Sequence, residues 1–298
     1  MMVNENRIWV LGDIHGRWQT VRDFCLANNI KKNWRFGDNV LILLGDAGLN
    51  YFLGGGNHRD EDTKKKLSGY PLTYFVIRGN HEERPSICAA KNPDKWHTEE
   101  FWGNTVYVEN EYPNIKYALD EAALYRIPYI EEPYYLRDDR EDTGDIEWEN
   151  LILEYNALVI PGAYSVDKHY RLANGWSWFE KEQLSDEEQL RCLQLVEQFP
   201  EVDIVLSHTC PIIFEPTDLF LSCIDQSMVD KRMERFLGRV EYEINYRAWM
   251  WGHYHAFRDY PRTDGRKKLM LYDNYAVNLV DYIENEEFEK YETHYCRE

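Results

Sequence analysis

The chain has 298 residues, of which 44% are hydrophobic and 15% aromatic, and this composition supports a globular protein with a sizeable core. Its formal net charge of −19 opposes non-specific attraction to long nucleic acids and to anionic membranes, whereas small anionic substrates remain allowed. The sequence lacks both a long apolar run and the basic-then-apolar pattern of a secretion signal, so we expect a cytoplasmic protein that binds no membrane.

Five short apolar runs that end abruptly at Gly, Asp, Asn or His predict buried strands. They lie at residues 8–11, 40–44, 74–77, 204–206 and 248–251. Between the first two runs, Trp18, Val21, Phe24 and Cys25 have helical spacing, which predicts a strand, a helix and a strand with a right-handed crossover. The chain is therefore predicted to be an α/β protein.

Two further helices are predicted in the second half of the chain. Ser185 and Glu188 have capping-box spacing, which predicts a helix over residues 185–199, and another is expected over residues 226–237, ending at Gly238. Residues 83–150 are rich in Trp, Tyr, Pro and acidic residues, and we interpret them as an insertion over or beside the functional site. A glycine run at residues 54–56 is interpreted as a mobile loop. Residues 1–298 are predicted to form a single domain with elaborated loops.

Polar side chains that can bind metals come directly after the five predicted strands. They are Asp13, His15, Asp46, Asn80, His208, His253 and His255, with His81 next to Asn80. Because ligands of open α/β sheets bind beyond the carboxyl ends of strands, we expect these side chains to converge on one site. The members of the Asp-x-His and His-x-His pairs alternate along the chain, so both side chains of each pair face the same way.

The mixture of carboxylate and imidazole groups indicates which metals suit the predicted site. It favours Mn, Fe, Zn, Co or Ni, as divalent or mixed-valence ions, and Mn is our first choice. Mg²⁺ and Ca²⁺ prefer sites made of oxygen ligands, so a histidine-rich site is not expected for either.

The five polar blocks, in this order, resemble those of the calcineurin-like metallophosphoesterase superfamily, which also includes the serine/threonine protein phosphatases. The blocks read Gly-Asp-Ile-His-Gly, Gly-Asp-Ala-Gly, Gly-Asn-His-Glu, Ser-His-Thr and Gly-His-Tyr-His, and they extend from Asp13 to His255. Any single block is a weak signal, but the ordered set is specific. The resemblance implies a four-layer α/β/β/α sandwich, in which two mixed β-sheets are flanked by helices.

The resemblance also implies a role for each polar residue around two metal ions. One ion would be held by Asp13, His15 and His255, the other by Asn80, His208 and His253, and both by a bridging Asp46. Two cations about 4 Å apart would lower the pKa of a bridging water to near neutral, and the resulting metal hydroxide would attack phosphorus in line.

Four further residues are candidates for contact with the substrate. The resemblance places His81 near the leaving group, where it would act as the general acid that protonates the departing oxygen. Arg17, Arg78 and Arg84 are candidates for clamping the phosphate through bidentate hydrogen bonds.

One block departs from the protein phosphatases, which carry Gly-Asp-x-Val-Asp-Arg-Gly where this chain has Gly-Asp-Ala-Gly-Leu-Asn-Tyr over residues 45–51. The acid that orients the catalytic histidine is missing or replaced by Asn50, and the arginine is absent. We therefore expect hydrolysis of a phosphomonoester or phosphodiester of a small molecule, nucleotide or short oligonucleotide. Serine/threonine phosphoprotein phosphatase activity is the alternative. A non-catalytic metal-bound scaffold is a third hypothesis, which the retention of His81 argues against.

Overall fold

The architecture is described from a computed structural model that places residues 7–31, 39–53, 57–131 and 151–293. Their strands form two mixed β-sheets, and the five short apolar runs become central strands of these sheets, as predicted. The glycine run at residues 54–56 and the last part of the predicted insertion, residues 132–150, lie outside the described residues.

Eight strands form the first sheet: β1 (Ile8–Leu11), β2 (Val40–Leu43), β3 (Thr73–Val76), β4 (Trp96–Phe101), β5 (Asn104–Glu109), β6 (Ile115–Tyr117), β13 (Tyr275–Asn278) and β14 (Lys290–Glu292). Their order is β14-β13-β1-β2-β3-β6-β5-β4. β1, β2, β3 and β6 are parallel, and the remaining pairs are antiparallel. Leu11, Leu43 and Val76 lie side by side, so the chain leaves these three strands at one edge.

Six strands form the second sheet: β7 (Ala123–Glu131), β8 (Leu151–Ile160), β9 (Glu201–Ser207), β10 (Asn245–Trp251), β11 (Arg258–Asp259) and β12 (Lys267–Met270). Their order is β11-β12-β10-β9-β8-β7. The four inner strands are parallel, and each edge strand is antiparallel to its neighbour. Ile160, Ser207 and Trp251 are in register, so β8, β9 and β10 also end together.

Seven α-helices lie among the described residues: α1 (Trp18–Ala27), α2 (His58–Ser68), α3 (Pro85–Lys91), α4 (Lys168–Ala173), α5 (Asp186–Gln198), α6 (Arg232–Glu243) and α7 (Leu279–Glu284). The helical spacing after β1 is confirmed by α1, which buries Val21, Phe24 and Cys25. The predicted capping box of α5 is also present, because Ser185 and Glu188 each accept a hydrogen bond from the other's backbone N–H.

Three apolar clusters stack the sheets and helices into four layers. The middle cluster lies between the sheets, where Val10 and Ile42 of the first sheet share a core with Ile204 and Met250 of the second. One outer cluster covers the other face of the first sheet with α1, α2 and α3, and the second covers the other face of the second sheet with α5 and α6. The α/β/β/α sandwich that the resemblance implied is therefore confirmed.

The helix predicted over residues 226–237 is wrong at both ends. Residues 226–228 form a short 3₁₀ turn, and α6 begins only at Arg232 and continues through Gly238 to Glu243. Gly238 does not adopt the left-handed conformation that ends a helix. It is a point of close packing instead, because a Cβ atom there would lie 3.2 Å from the Ile212 side chain.

Residues 83–131, the described part of the predicted insertion, form α3 and strands β4 to β7, which extend both sheets. The interpretation of residues 83–150 as an insertion stays a prediction, as does the single-domain organisation of the chain. Across the described ranges, the helices are too short or too polar to span a membrane.

Candidate metal centre

The polar blocks of the sequence meet where parallel strands of the two sheets end. Asp13 and His15 follow β1, Asp46 follows β2 and Asn80 follows β3, while His208 follows β9 and His253 and His255 follow β10. Because these strands are in register within each sheet and the two sheets pack face to face, their loops lie against one another. The structure thereby brings all seven predicted metal ligands together.

The first group of potential ligands consists of Asp13, His15 and His255. His15 Nε2 lies 2.9 Å from His255 Nε2, and His255 Nε2 lies 3.6 Å from Asp13 Oδ2. One ligand atom from each residue lies within 4.8 Å of the other two. Since metal–ligand bonds to nitrogen and oxygen are about 2.0–2.2 Å long, this spacing suits three ligands of one ion.

The second group is centred on His208. Its Nε2 atom lies 2.8 Å from Asn80 Oδ1 and 3.7 Å from Asp46 Oδ2, and its ring centroid is 5.0 Å from that of His253. Asp13, Asp46 and His208 also offer ligand atoms that all lie within 4.8 Å of one another. Asp13 of the first group therefore lies next to Asp46 and His208, and the bridging role of Asp46 stays a prediction.

Neighbouring groups orient the ligand atoms of His208 and Asn80. His208 Nδ1 lies 2.7 Å from the Leu44 carbonyl oxygen, which can only accept a hydrogen bond, so this nitrogen carries the proton and Nε2 keeps its lone pair. The Asn80 amide donates from Nδ2 to Ser165 Oγ at 2.9 Å, which leaves its Oδ1 directed at His208 Nε2. His208 Nε2 and Asn80 Oδ1 therefore each direct a lone pair at the space between them, which is the arrangement that a bound cation requires.

Four of the proposed ligands have backbone conformations that L-amino acids rarely adopt. The φ angles are 47° for His15, 46° for Asp46, 69° for His253 and 52° for His255. In the described part of the chain, only two other non-glycine residues have positive φ. Such backbone strain clusters at functional sites, where the surrounding structure holds it in place.

Glycines of three motifs lie directly against ligands of other motifs. A Cβ atom on Gly45 would overlap the His208 ring, and one on Gly79 would overlap the Asp46 carboxylate. In the same way a Cβ atom on Gly252 would overlap the carboxylate of Asp13. The glycines therefore permit the close approach of the loops that brings ligands of the two sheets together.

Burial keeps the site histidines in the form that binds metals. It lowers the pKa of His15, His208 and His253 from the ordinary value, and it lowers the pKa of His255 to about 4. These imidazoles are therefore neutral near pH 7, and a neutral imidazole is the form that coordinates a metal ion.

The two buried aspartates differ in the direction of their pKa shifts. Burial and then the charge of Asp46 raise the pKa of Asp13 well above its ordinary value. Burial acts on Asp46 in the same sense, but the charges of His81, His208 and His15 outweigh it and leave the pKa of Asp46 lowered. His15 and His208 are protonated only at acid pH, where Asp46 titrates, and near pH 7 they are neutral and leave the buried carboxyl groups without compensating positive charge, so the donor set fits metal cations.

His81 lies next to the ligand groups without belonging to either. Its backbone N–H donates to Asp46 Oδ1 at 2.9 Å, and its Nε2 atom is 3.8 Å from Asp46 Oδ2. The guanidinium of Arg171 approaches the same Nε2 atom at 3.2 Å. The structure therefore places His81 at the edge of the candidate metal centre, in contact with a cation that the sequence analysis did not consider.

Arg78 and Arg84, two of the three predicted phosphate clamps, are buried and engaged by protein groups. Arg78 donates from one terminal nitrogen to the carbonyl oxygens of Gly79 and Glu182, and burial lowers its pKa to about 10. Arg84 forms a two-point ion pair with the carboxylate of Glu188 and donates to two further carbonyl oxygens. Phosphate binding by either arginine stays a prediction, which this geometry does not favour.

Arg17, the third predicted clamp, lies at the rim of the site with 48% of its side chain exposed. Its guanidinium donates to the Tyr272 hydroxyl and pairs with Asp273 Oδ2, each at 2.8 Å. The Tyr272 ring stacks on His255, with 4.9 Å between the ring centroids. Arg17 therefore lies beside the candidate metal centre, and its role as a phosphate clamp stays a prediction.

Asn50, considered as a replacement for the acid that orients the catalytic histidine, does not take that role in the structure. Its side-chain oxygen is buried and has no hydrogen-bond partner among the described residues. The next residue, Tyr51, has a hydroxyl that accepts a hydrogen bond from Arg171 at 3.0 Å.

The segment after β8 supplies Ser165, Arg171 and Glu182 to the site, although no motif in the sequence predicted it. Glu182 accepts hydrogen bonds from the backbone N–H and the hydroxyl of Ser165, at 3.0 and 2.5 Å, and Ser165 in turn holds Asn80. A signal for this segment was present, because the apolar run at residues 157–160 ends at Pro161 and Gly162 as the five recognised runs end at polar residues or glycine.

The two-sheet sandwich and its cluster of carboxylate, amide and imidazole groups define the class of an α/β protein with a candidate dinuclear metal centre. Residues 6–257 match the family model of the calcineurin-like phosphoesterases, and the chain belongs to that family. The resemblance stated from the five sequence blocks is confirmed. Membership supports metal-dependent hydrolysis of phosphate esters in general, so the protein is a hydrolase of that broad class.

Solved structures with some likeness to this chain have low sequence identity. A protein named TT1561 from Thermus thermophilus is 11% identical, with a TM-score of 0.48, and the likeness covers 96% of this chain and 98% of that one. A phosphopantetheinyl hydrolase from Mycobacterium tuberculosis is 12% identical, with a TM-score of 0.43 and coverage of 90% of each chain. A dimetal phosphatase from Danio rerio is 8% identical, with a TM-score of 0.43 and coverage of 96% of each. No curated protein matches the chain, and the family assignment rests on the family model.

Proposed function

We propose that the protein hydrolyses a phosphomonoester or phosphodiester of a small molecule, nucleotide or short oligonucleotide, using two bound metal ions. The observation that carries this proposal is the convergence of two groups of metal-binding side chains, with His81 beside them but in neither group. The hypothesis of a non-catalytic scaffold does not account for a histidine held against the Asp46 carboxylate and free of the ligand groups.

The proposed ligands fall into two groups around a shared carboxylate. Asp13, His15 and His255 would hold one ion, Asn80, His208 and His253 would hold the other, and Asp46 would contact both. Mixed oxygen and nitrogen ligation favours Mn²⁺, with Fe, Zn, Co and Ni as the other candidates. When bound, the ions would lower the pKa of an attacking water and neutralise charge that develops on the phosphoryl oxygens.

The protein itself supplies orientation and a proton. Hydrogen bonds to Leu44 and Ser165 fix the ligand atoms of His208 and Asn80 before any ion binds. His81 is the proposed general acid, since it adjoins Asp46 and belongs to neither group of proposed ligands. Protonation of the departing oxygen removes the need to expel an alkoxide.

The surroundings of the site bear on the class of substrate. The net charge of −19 makes a long polyanion an unfavourable partner, so we propose a small phosphate ester and a cytoplasmic site of action. Protein phosphatase activity is not favoured, because residues 45–51 contain neither the second acid nor the arginine of the corresponding motif in those enzymes.

The first experiment compares His81→Ala and Asp46→Asn with the parent on two aryl phosphates, phenyl phosphate and 4-nitrophenyl phosphate. Loss of a general acid lowers rates about 10²- to 10⁴-fold, and the loss should be larger for phenyl phosphate because phenoxide is the poorer leaving group. Asp46→Asn should lose activity toward both esters together with bound metal.

His97→Ala is the matched control, because His97 is an exposed histidine on β4 that bonds to Asn110. It should hydrolyse both esters at the parental rate. Folded His81→Ala and Asp46→Asn proteins that hydrolyse both esters as fast as the parent would contradict the proposed function.

A further inference from the structure

Arg171 lies against His81 although it belongs to none of the motifs in the sequence. It is on α4, is 7% exposed, and its NH2 nitrogen lies 3.2 Å from His81 Nε2. A guanidinium group has no acceptor and remains charged in proteins, so Arg171 places a permanent positive charge beside the proposed general acid.

Three protein groups hold the Arg171 guanidinium in place. Its Nε donates to Asp167 Oδ2 at 2.8 Å, and its NH1 donates to the Tyr51 hydroxyl at 3.0 Å and to the Ser177 carbonyl oxygen at 3.3 Å. Asp167 also supplies a compensating negative charge. The orientation of the fork is therefore fixed before a substrate binds.

The count of donors leaves one N–H of Arg171 unused. The guanidinium has five N–H groups, and four of them meet Asp167, Tyr51, Ser177 and His81. The fifth, on NH2 beside His81, has no acceptor within hydrogen-bond distance among the residues that the structure describes. A fixed cation with an unused donor next to a metal centre is suited to an anionic oxygen.

We propose that Arg171 binds the phosphate group of the substrate through NH2. This inference rests on the proposed function and adds a residue that recognises the ester. The phosphoryl oxygens would accept both NH2 hydrogens and take the place of His81 as an acceptor. Tyr51 then acts as a positioning residue, because its hydroxyl accepts a hydrogen bond from the guanidinium that α4 supplies.

The test uses the metal-loaded protein and variants with verified folding and metal content. Inorganic phosphate is the probe, and its affinity is measured by calorimetry and by competitive inhibition of aryl phosphate hydrolysis. Arg171→Ala should weaken phosphate binding about 10- to 100-fold, the range expected for a charge-assisted two-point contact. The increase in KM should accompany the loss of phosphate affinity, and Arg171→Lys should be intermediate because it keeps the charge without the fork.

Two further variants separate binding from stability. Lys168→Ala removes a positive charge from the same helix, where Lys168 lies over the Trp178 ring, and it should leave phosphate affinity within about twofold of the parent. Tyr51→Phe keeps the ring and removes only the hydroxyl, so it should weaken phosphate binding about fivefold, the effect of one neutral hydrogen bond. Tyr51→Phe keeps the test decisive if Arg171→Ala fails to fold.

Parental phosphate affinity in folded, metal-loaded Arg171→Ala, or in Tyr51→Phe if the alanine variant does not fold, would overturn the inference. Failure of the proposed function gives a different result: the parent would bind metal and phosphate but hydrolyse neither aryl ester. In that case the calorimetric comparison of the parent with Arg171→Ala still decides whether Arg171 binds phosphate.

Discussion

Two regions build the candidate site, and they hold their side chains by different means. The loops after β1, β2, β3, β9 and β10 use the backbone: four ligands have positive φ angles, and glycines allow one loop to press against the ligands of another. The connection between β8 and α5 uses side chains, in the chain of hydrogen bonds from Glu182 through Ser165 to Asn80 and in the contacts of Arg171.

The difference predicts how each region responds to substitution. Where the backbone holds the ligands, the tightly packed loops cannot move apart. One added methyl group therefore displaces a ligand and weakens the binding of both ions. A network of side-chain hydrogen bonds can lose one bond at a time, because each bond contributes separately and its loss leaves the neighbouring contacts in place. Three substitutions test this contrast. The first is in a ligand loop, the second is at a residue that orients a ligand, and the third removes a buried ion pair outside the ligand set.

Gly252→Ala is expected to have the largest effect. The added Cβ overlaps the Asp13 carboxylate, so Asp13 must move. A displacement of this kind costs about 100-fold in activity, and the metal content should fall as well. Elemental analysis and hydrolysis rates measure both.

Gly69→Ala is the matched control for Gly252→Ala. Gly69 ends α2 with φ of −79° and the nearest atom to its Cβ position is 3.4 Å away, so it should retain metal and activity. Full metal occupancy and activity in Gly252→Ala would show that the ligand loops are less rigid than their geometry indicates.

Ser165→Ala should have an intermediate effect. It removes the hydroxyl that directs the Asn80 amide while leaving all seven proposed ligands in the chain. Loss of a group that orients a ligand lowers metal affinity about 10- to 100-fold, and titration of the metal-free protein with Mn²⁺ should show this change at one of two ions. Ser227→Ala, at an exposed serine bonded to Asp225, should bind Mn²⁺ as the parent does. Equal affinities of Ser165→Ala and the parent for both ions would break the proposed link between Glu182, Ser165 and Asn80.

Arg84→Ala should have the smallest effect on activity, since Arg84 joins Glu188 to the backbone of the same connection. The variant should lose about 2–3 kcal/mol in the free energy of unfolding and keep its phosphate affinity, in contrast to Arg171→Ala. Denaturation and phosphate titration measure the two quantities. A large loss of phosphate affinity in folded Arg84→Ala would instead support the prediction that Arg84 binds the phosphate.

The same variant gives a test by pH. Burial alone would raise the pKa of Glu188, but hydrogen bonds from Arg84 and Ser185 outweigh it and hold the pKa at about 2, below the ordinary 4.5. The stability gained from the ionised form is therefore complete above pH 4.5 and is lost as the pH falls toward 2. The difference in unfolding free energy between the parent and Arg84→Ala should shrink over that interval.

The contrast between the regions also explains how much of the molecule could be predicted from its sequence. The seven proposed ligands were found because each follows an apolar run directly, and short loops after parallel strands leave few places for the next side chain. Ser185 and Glu188 predicted α5 for a similar reason, since a capping box involves residues only three positions apart.

The features that were missed depend on contacts between distant parts of the chain. Arg171 contacts His81 and Tyr51, which are 90 and 120 residues away in the sequence. No pattern of nearby residues predicts contacts over such separations. Gly238 was taken as the end of a helix because glycine often has that role, whereas packing against Ile212 explains it. Asn50 suggested a partner for His81 by its position in a motif, but the fold buries its side-chain oxygen without a partner among the described residues.

The central claim is that the strand-end cluster binds two metal ions and uses them to hydrolyse phosphate esters. Elemental analysis of purified protein, followed by chelation and readdition of Mn²⁺ with hydrolysis of mono-aryl and bis-aryl phosphates, tests it most directly. We expect about two ions per chain, loss of hydrolysis on chelation and its return with Mn²⁺, and the relative rates will distinguish monoester from diester preference. A folded protein that binds no metal, or that hydrolyses these esters equally well after chelation, would contradict the claim.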